Sequence, residues 1–330
     1  MTVTLTHPNG LVRVEQLANG RRKISVSLRD ANAFIPTVTW ETAYPLRLIE
    51  RLTQVKGPAY LCHEIIRDED PKQIRHQFEY DLLSYVAPED FAGKRILDFA
   101  CGCGASSMVL LRMFPQAEVV GIDLKPDCLA VAREIAEYYC FDRATFFPSP
   151  DRMHLPAEMG EFDYIVMSAV YEHLLPDERR ALLPQLWAHL EPRGVLFVNQ
   201  TPHRFFPVEL HTTRLPLINY LPAPVVLPLA HRFSRRVRPG ETWDALLRRG
   251  IRGGTPREIL GILRGEPGRP LLLEPRRSGI ADHIDLWYRW SSGLRSSRQK
   301  EVWRCCMKGF KRLTGIALVP GLALAIEKSA

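Results

Sequence analysis

No apolar run in this 330-residue sequence is long enough to span a membrane. The two longest, Tyr220 to Ala230 and Ile316 to Ile326, run 11 residues each and are broken by proline or glycine, whereas a spanning helix needs about 20 apolar residues. The N-terminal stretch Met1-Thr-Val-Thr-Leu-Thr-His7 lacks a basic region followed by an apolar one, so no secretory leader is expected. Cysteine is scarce and irregular. The seven (Cys62, Cys101, Cys103, Cys128, Cys140, Cys305, Cys306) include no Cys-x-x-Cys pair, which excludes a disulfide scaffold and fits a reducing cytoplasm. Low complexity and internal repeats are also missing. Hydrophobic residues at 46% and charged residues at 25% give an ordinary globular mix with ample material for a core. At roughly 150 residues per domain, one large or two modest domains are expected.

Charge is present but unevenly spread. The net value is +7, yet residues 201–330 carry 23 basic against 10 acidic side chains, while residues 1–200 carry 21 against 27. Such asymmetry suggests different partners for the two halves, or a solvated arginine-rich surface on the second.

The pattern along the chain changes three times. Short strands with turns are expected over residues 1–30: Val3 to Thr6, Leu11 to Val14 and Lys23 to Leu28, separated by Pro8-Asn-Gly and Asn19-Gly turns. From Tyr44 to Tyr85 apolar residues fall at helical spacing, with Leu46, Leu48, Ile49 and Leu52 on one face. From Lys94 to Gln200 strands alternate with helices. Arg95 to Ala100, Glu118 to Ile122, Ala144 to Phe147, Phe162 to Met167 and Val195 to Asn199 read as strands. Met108 to Phe114, the segment opened by Pro126, and Asp177 to Leu190 read as helices, the last followed by a Glu191-Pro-Arg-Gly194 turn. That alternation predicts a parallel, doubly wound α/β sheet. Order then dissolves into proline-rich apolar pieces and arginine clusters. A helix is expected again at Gln299 to Leu313, followed by Ile316 to Val319, a Pro320-Gly turn and Leu322 to Ile326 as an antiparallel pair closing the sheet.

The turn Cys101-Gly-Cys-Gly-Ala-Ser-Ser107 lies between the first strand of this series and its helix. Glycine there lets backbone approach a ligand closely, and the helix start favours a negative group. Asp123 ends the next strand, where an acidic side chain accepts from both ribose hydroxyls. A dinucleotide fingerprint requires a small residue such as glycine or alanine three positions after Gly104, and Ser107 stands there. Asp98, just before the turn, would repel pyrophosphate and suits a ligand with a positive group. Cys101 and Cys103 read as small turn fillers, because one intervening residue and no nearby histidine make a poor metal site.

Leu97-Asp-Phe-Ala-Cys-Gly-Cys-Gly104, Val120-Gly-Ile-Asp123, Phe162-Asp-Tyr-Ile-Val-Met-Ser168 and Leu190-Glu-Pro-Arg-Gly-Val-Leu-Phe197 together resemble the ordered motifs of class I S-adenosylmethionine-dependent methyltransferases. The resemblance covers about residues 94–200 and the closing strands. It implies a Rossmann-like, mostly parallel seven-stranded sheet with an N-terminal extension and a large insertion after the fifth strand. It divides the chain into N-terminal strands and helices acting as cap or interface (1–90), an S-adenosylmethionine-binding core (91–200), a substrate-binding insertion or lid (201–298), and a closing helix and strand pair (299–330). It implies S-adenosylmethionine as donor and S-adenosylhomocysteine as product. Ala100, Gly102 and Gly104 would line the methionine end, with Asp98 near its ammonium. Asp123 would hold the ribose, Leu124 the adenine face, Asp151 the adenine amino group with Arg152 beside it, and Ser168 would face the reaction centre. Asp151 also reads as a simple turn residue.

Methyl transfer from a sulfonium is an in-line displacement, and oxygen or nitrogen acceptors often also need a base. His203, Glu209 and His211 follow the fifth strand at the sheet's carboxyl edge and are the candidate catalytic residues, His211 foremost as base. Tyr171 and Tyr220 are fallback candidates, more simply read as pocket walls. The pair Glu172-His173 resembles metal-assisted O-methyltransferases with a Glu-x-x-Glu-His pattern. Ala169 stands where the first Glu would be, so no metal is expected and Glu172 reads as structural; a metal held by Glu172, His173 and His203 or His211 is the alternative. The expected activity is O-methylation of a small molecule (a glycolipid, polyketide or other secondary metabolite) in the cytoplasm. The apolar 215–230 segment would line the acceptor pocket or, with Arg232 to Arg238, rest on an anionic membrane. A homodimer through the N-terminal strands is left open. RNA or other nucleic-acid methylation by the basic half is the alternative, disfavoured because the charge is scattered and no RNA-binding module is recognised. A donor-binding protein without transferase activity is the third reading.

Overall fold

The computed structural model describes residues 2–30, 35, 37–292 and 298–330. Four short strands come first: β1 (Thr2–His7), β2 (Gly10–Gln16), β3 (Arg22–Leu28) and β4 (Thr39–Thr42). They pair in chain order as an antiparallel meander, with Val12 opposite Val26 and Val14 opposite Ile24 on its buried face. Helices α1 (Leu46–Lys56), α2 (Pro58–Glu69) and α3 (Ile74–Asp81) follow. Leu48, Ile49 and Leu52 of the expected apolar face are buried on α1.

The alternating region forms β5 (Arg95–Phe99), α4 (Ala105–Met113), β6 (Glu118–Asp123), α5 (Pro126–Tyr138), β7 (Ala144–Pro148), β8 (Phe162–Ser168), α6 (Pro176–Ala188) and β9 (Leu190–Pro202). Beyond it come α7 (Ala223–Phe233), α8 (Trp243–Arg248), α9 (Pro256–Leu263), β10 (Pro270–Leu272), α10 (His283–Ser292), α11 (Arg298–Thr314) and β11 (Gly321–Lys328). A seven-stranded sheet has the order β10-β11-β9-β8-β5-β6-β7. Its pairs β5·β8, β8·β9 and β6·β7 are parallel, and β11 runs antiparallel between β9 and β10. Ile96, Leu97, Val119, Val120, Ile165, Val166 and Met167 are buried, as strands covered on both faces require. This is the expected doubly wound sheet. Because the chain runs β5 to β7 in one direction and restarts at β8, the order reverses between β5 and β8, where such sheets bind ligands beyond the strands' carboxyl ends.

Three local expectations are corrected. The helix expected from Met108 starts at Ala105, because Gly104 in a left-handed conformation (φ 86°) turns the chain directly into it. The Glu191–Gly194 turn is absorbed into β9 as an irregularity: Phe162 pairs with Leu190 and Tyr164 with Val195, and Arg193 takes φ 64°. Residues 316–319 form no strand. Val319 packs with Ile284 and Met307 instead, and β11 takes its outer partner, β10, from within the insertion.

Contacts group the chain into two compact units, residues 1–77 with 100–149 and residues 78–99 with 150–330. In the second, Ile218, Val226, Ala230, Val237, Leu246 and Ile251 pack into a small core within the insertion.

Candidate functional site

In the first unit the turn after β5 is built by backbone conformations that side chains disfavour. Ala100, Gly102 and Gly104 all have positive φ (59°, 57° and 86°). At Gly104 a Cβ would come within 2.8 Å of Ala132 Cβ on α5, so glycine is needed for packing as well as for the turn. Asp123 at the end of β6 braces this turn. Its Oδ2 accepts from the Gly102 N–H at 3.0 Å and its Oδ1 from the Lys125 N–H at 2.9 Å. Each carboxylate oxygen keeps a second lone pair. Leu124 beside it is exposed, an apolar surface next to an oriented carboxylate. Cys101 and Cys103 are buried as turn fillers.

Lys56, at the end of α1, was not singled out by the sequence. Its Nζ lies 4.0 Å from where a Gly102 Cβ would be and 3.3 Å from Glu64 Oε1. Burial opposes its charge, but Glu64 outweighs this with the help of smaller contributions, and the net shift is upward. Nothing in the local pattern of an amphipathic helix marks that lysine.

In the second unit Asp98 is buried on β5, in register with Val166 of β8. Ser168 ends β8 half-buried and in register with Asn199 of β9. Asn199 is fully buried, and neither its amide nitrogen nor its amide oxygen has a hydrogen-bond partner among the described residues. An unpaired buried amide is costly unless a ligand uses it. The sequence offered no sign of this, since an asparagine ending a strand resembles any turn signal. Next to it Gln200 (φ 57°) sits where the β9·β11 register slips, a bulge of the kind that re-aims side chains at sheet edges.

The remaining candidates divide by what their polar atoms already do. Asp151 lies in an exposed loop, where Oδ1 accepts from the N–H groups of Met153 (2.7 Å) and His154 (2.9 Å) and the carboxylate pairs with His154 Nδ1 at 2.8 Å. The His154 hydrogen bond and these N–H groups hold its carboxyl below the usual range. Arg152 is exposed beside it. Glu209 is buried, and its carboxylate accepts from the N–H groups of His211, Thr212 and Thr213 and from the Thr213 hydroxyl, so it organises the loop. His203 is buried, and its Nδ1 accepts the Phe205 N–H at 3.1 Å, which puts the ring proton on Nε2 and makes that nitrogen a donor. Burial pushes its pKa down to about 4, so the ring stays neutral. His203 borders a largely apolar cavity of about 470 Å³, lined also by Phe205, Leu272, His283, Val319 and Leu324. Residues 215–230 do not line it.

His211, exposed at one edge, meets two residues that precede it by a whole helix and strand. Its ring centroid is 5.5 Å from that of His173, and ligand atoms of Glu172, His173 and His211 lie within 4.8 Å of one another. Burial, followed by the His173 charge, lowers the His211 pKa, and burial raises that of Glu172.

Comparison with known proteins agrees with the motif order. A methyltransferase-domain family model matches residues 96–194. The trans-aconitate 2-methyltransferase of Azoarcus sp. is 35% identical over 125 residues, 38% of this chain and 45% of its own length. The demethylmenaquinone methyltransferase of Thermus thermophilus is 36% identical over 111 residues, 34% of this chain and 49% of its own. The chain thus spans about half the length of these relatives. An O-methyltransferase family protein from Burkholderia thailandensis overlays 68% of this chain and 58% of its own at a TM-score of 0.44 and 16% identity. No helix among the described residues is long and apolar enough to cross a membrane. Residues 96–194 thus match a methyltransferase domain, in agreement with the S-adenosylmethionine-dependent methyltransferase motifs that the sequence resembles.

Proposed function

We propose that the protein transfers a methyl group from S-adenosylmethionine to an oxygen of a small, largely apolar molecule. The observation that carries the small-molecule reading is the apolar cavity of about 470 Å³ beside His203, within the usual range for small-ligand sites. The donor, when bound, supplies an electrophilic methyl on a sulfonium. For it, the positive-φ turn at Gly102 and Gly104 offers close backbone approach, Asp123 offers spare lone pairs to ribose hydroxyls, and exposed Leu124 offers an adenine contact. Asp98 and Ser168 are assigned to the donor by motif order, Asp151 and Arg152 more weakly. On the acceptor side His203 donates from Nε2, Glu209 fixes the loop, and His211 takes the acceptor's proton.

The basic half supports a nucleic-acid partner less than its charge suggests. Arg248 pairs with Glu178, Arg249 with Glu241, Arg304 and Lys308 with Asp285, and Lys311 with Asp282, while Arg252 donates to the carbonyls of Asn219 and Leu221. Those cations are committed to the fold. A peripheral contact with anionic lipid is the second reading, favoured by exposed Leu217, Tyr220, Val225 and Phe233 beside exposed Arg232 and Arg235.

The test is methyl-labelled S-adenosylmethionine with the purified protein and a cell extract split into lipid, small aqueous, protein and nucleic-acid fractions. Label in the lipid or small-molecule fraction is expected. Label in nucleic acid would overturn the reading, and donor binding without label anywhere would leave a non-catalytic binder.

A further inference from the structure

Glu172 and His173, to which the proposed methyl transfer gives no part, converge with His211 at one point. Glu172 is fully buried, and its Oε2 accepts from the Thr201 hydroxyl at 3.0 Å while its Oε1 has no hydrogen-bond partner among the described residues. Facing Oε1 at 3.8 Å is His173 Nε2, too far for a good hydrogen bond. That nitrogen carries a lone pair in the neutral ring, because Nδ1 donates to the Arg248 carbonyl at 2.7 Å. His211 supplies a third ligand atom within 4.8 Å of the others. Gly250 keeps the space open: a Cβ there would come within 2.8 Å of His211 Cδ2 and 2.9 Å of Glu172 Cγ.

We propose that Glu172 Oε1, His173 and His211 bind a divalent transition-metal ion. Two imidazoles and one carboxylate suit zinc or a neighbouring first-row ion over magnesium or calcium, and three protein ligands leave a coordination position open. The outer contacts match what ligands need. The Arg248 carbonyl fixes the His173 tautomer, and the Thr201 hydroxyl orients the Glu172 carboxylate so that its other oxygen faces the gap. The missing carboxylate at Ala169 does not prevent this, because the third ligand arrives from the loop after β9, where the geometry selects His211 over His203.

One consequence rests on the proposed transferase activity. An acceptor hydroxyl in the open position would lose its proton to solvent more readily, and its oxygen would bond to the methyl carbon as the carbon–sulfur bond breaks. His211 would then act as a ligand and not as a base.

The experiment uses the full chain, stripped with a chelator and titrated with zinc by calorimetry and with cobalt by visible absorption. One equivalent should bind, with cobalt bands showing imidazole ligation. Affinity should fall at least ~100-fold in His211→Ala and in Glu172→Gln, as removal of a direct ligand predicts. Both variants should melt near wild type, which His211, exposed at its edge, makes accessible. Absence of saturable binding, or wild-type affinity in either variant, overturns the site. Metal binding without label transfer to any fraction leaves the site standing and removes the transferase reading. Full transfer by the metal-free protein, abolished in His211→Ala, rejects the catalytic use of the ion and restores the base.

Discussion

The turn around Gly102 and the carboxyl edge of β8 and β9 treat polar atoms in opposite ways. At the turn, both oxygens of Asp123 are held by backbone N–H groups, so the carboxylate is oriented before any ligand arrives. At the edge, the Glu172 Oε1 and both amide atoms of Asn199 are buried without hydrogen-bond partners among the described residues, and beside Gln200 the Asp81 carboxyl is pushed up to about 8 by burial alone. A preorganised carboxylate fits a ligand of fixed shape. Unsatisfied buried groups carry a cost in the free protein that only binding relieves. On the proposed function the first region is built for one donor, and the second holds a cost that an acceptor or an ion would relieve.

The largest effect that tests this contrast is a pH slope. Asp81 should keep its proton in the folded chain up to about pH 8, whereas unfolded aspartate ionises near 3.9. The raised folded value means its contribution to stability is fully present below about pH 4 and is lost as pH rises to 8, at ~1.4 kcal/mol per pH unit. Asp81→Asn should therefore differ from wild type by a stability gap that grows between pH 4 and 8 and then levels. Denaturant melts at intervals of one pH unit would show it, and a constant gap would mean that Asp81 is already ionised in the fold.

Next in size, Asp123→Ala should weaken donor binding by about 1–3 kcal/mol, the worth of hydrogen bonds to a charged group. Calorimetry with S-adenosylmethionine reads this directly, and unchanged affinity would remove the ribose assignment. Asn199→Leu should behave in the reverse manner. Replacing an unpaired buried amide by an apolar group of similar size should leave stability unchanged or raise it by about 1 kcal/mol while methyl transfer falls. A destabilised variant would show that Asn199 has a protein partner after all.

How much of this was readable beforehand follows from the range of the interactions. β5, β6 and β8 were legible because strands buried on both faces are continuous apolar runs, and because Gly102, Gly104 and Asp123 act within one turn and one strand. The helix start at Ala105 was missed by three residues because its determinant is the left-handed Gly104, a conformation that composition does not reveal. β10 was missed because it is three residues long and its pairing with β11 is set by tertiary contact, not by alternation. The same distance hid Lys56 beside the turn and left His203 and His211 as alternatives beside Glu172. Glu209 and His203 were named as catalytic from their position after β9, but their orientation, not their position, decides what their oxygens and nitrogens can accept.

The smallest predicted effect separates an oriented carboxylate from a merely local one. Asp151, like Asp123, accepts backbone N–H bonds, but it is exposed and its partners lie two and three residues ahead in the same loop. Its lowered pKa comes first from His154, a pair screened by solvent. Asp151→Ala should therefore leave stability close to wild type, as surface substitutions do. Its effect on donor affinity decides its role. A loss of about fivefold or more in calorimetry would make it an adenine contact working through lone pairs the loop leaves free. Affinity within twofold of wild type would make it a turn residue, and the donor assignments would then rest on the residues before Ser149 together with Ser168.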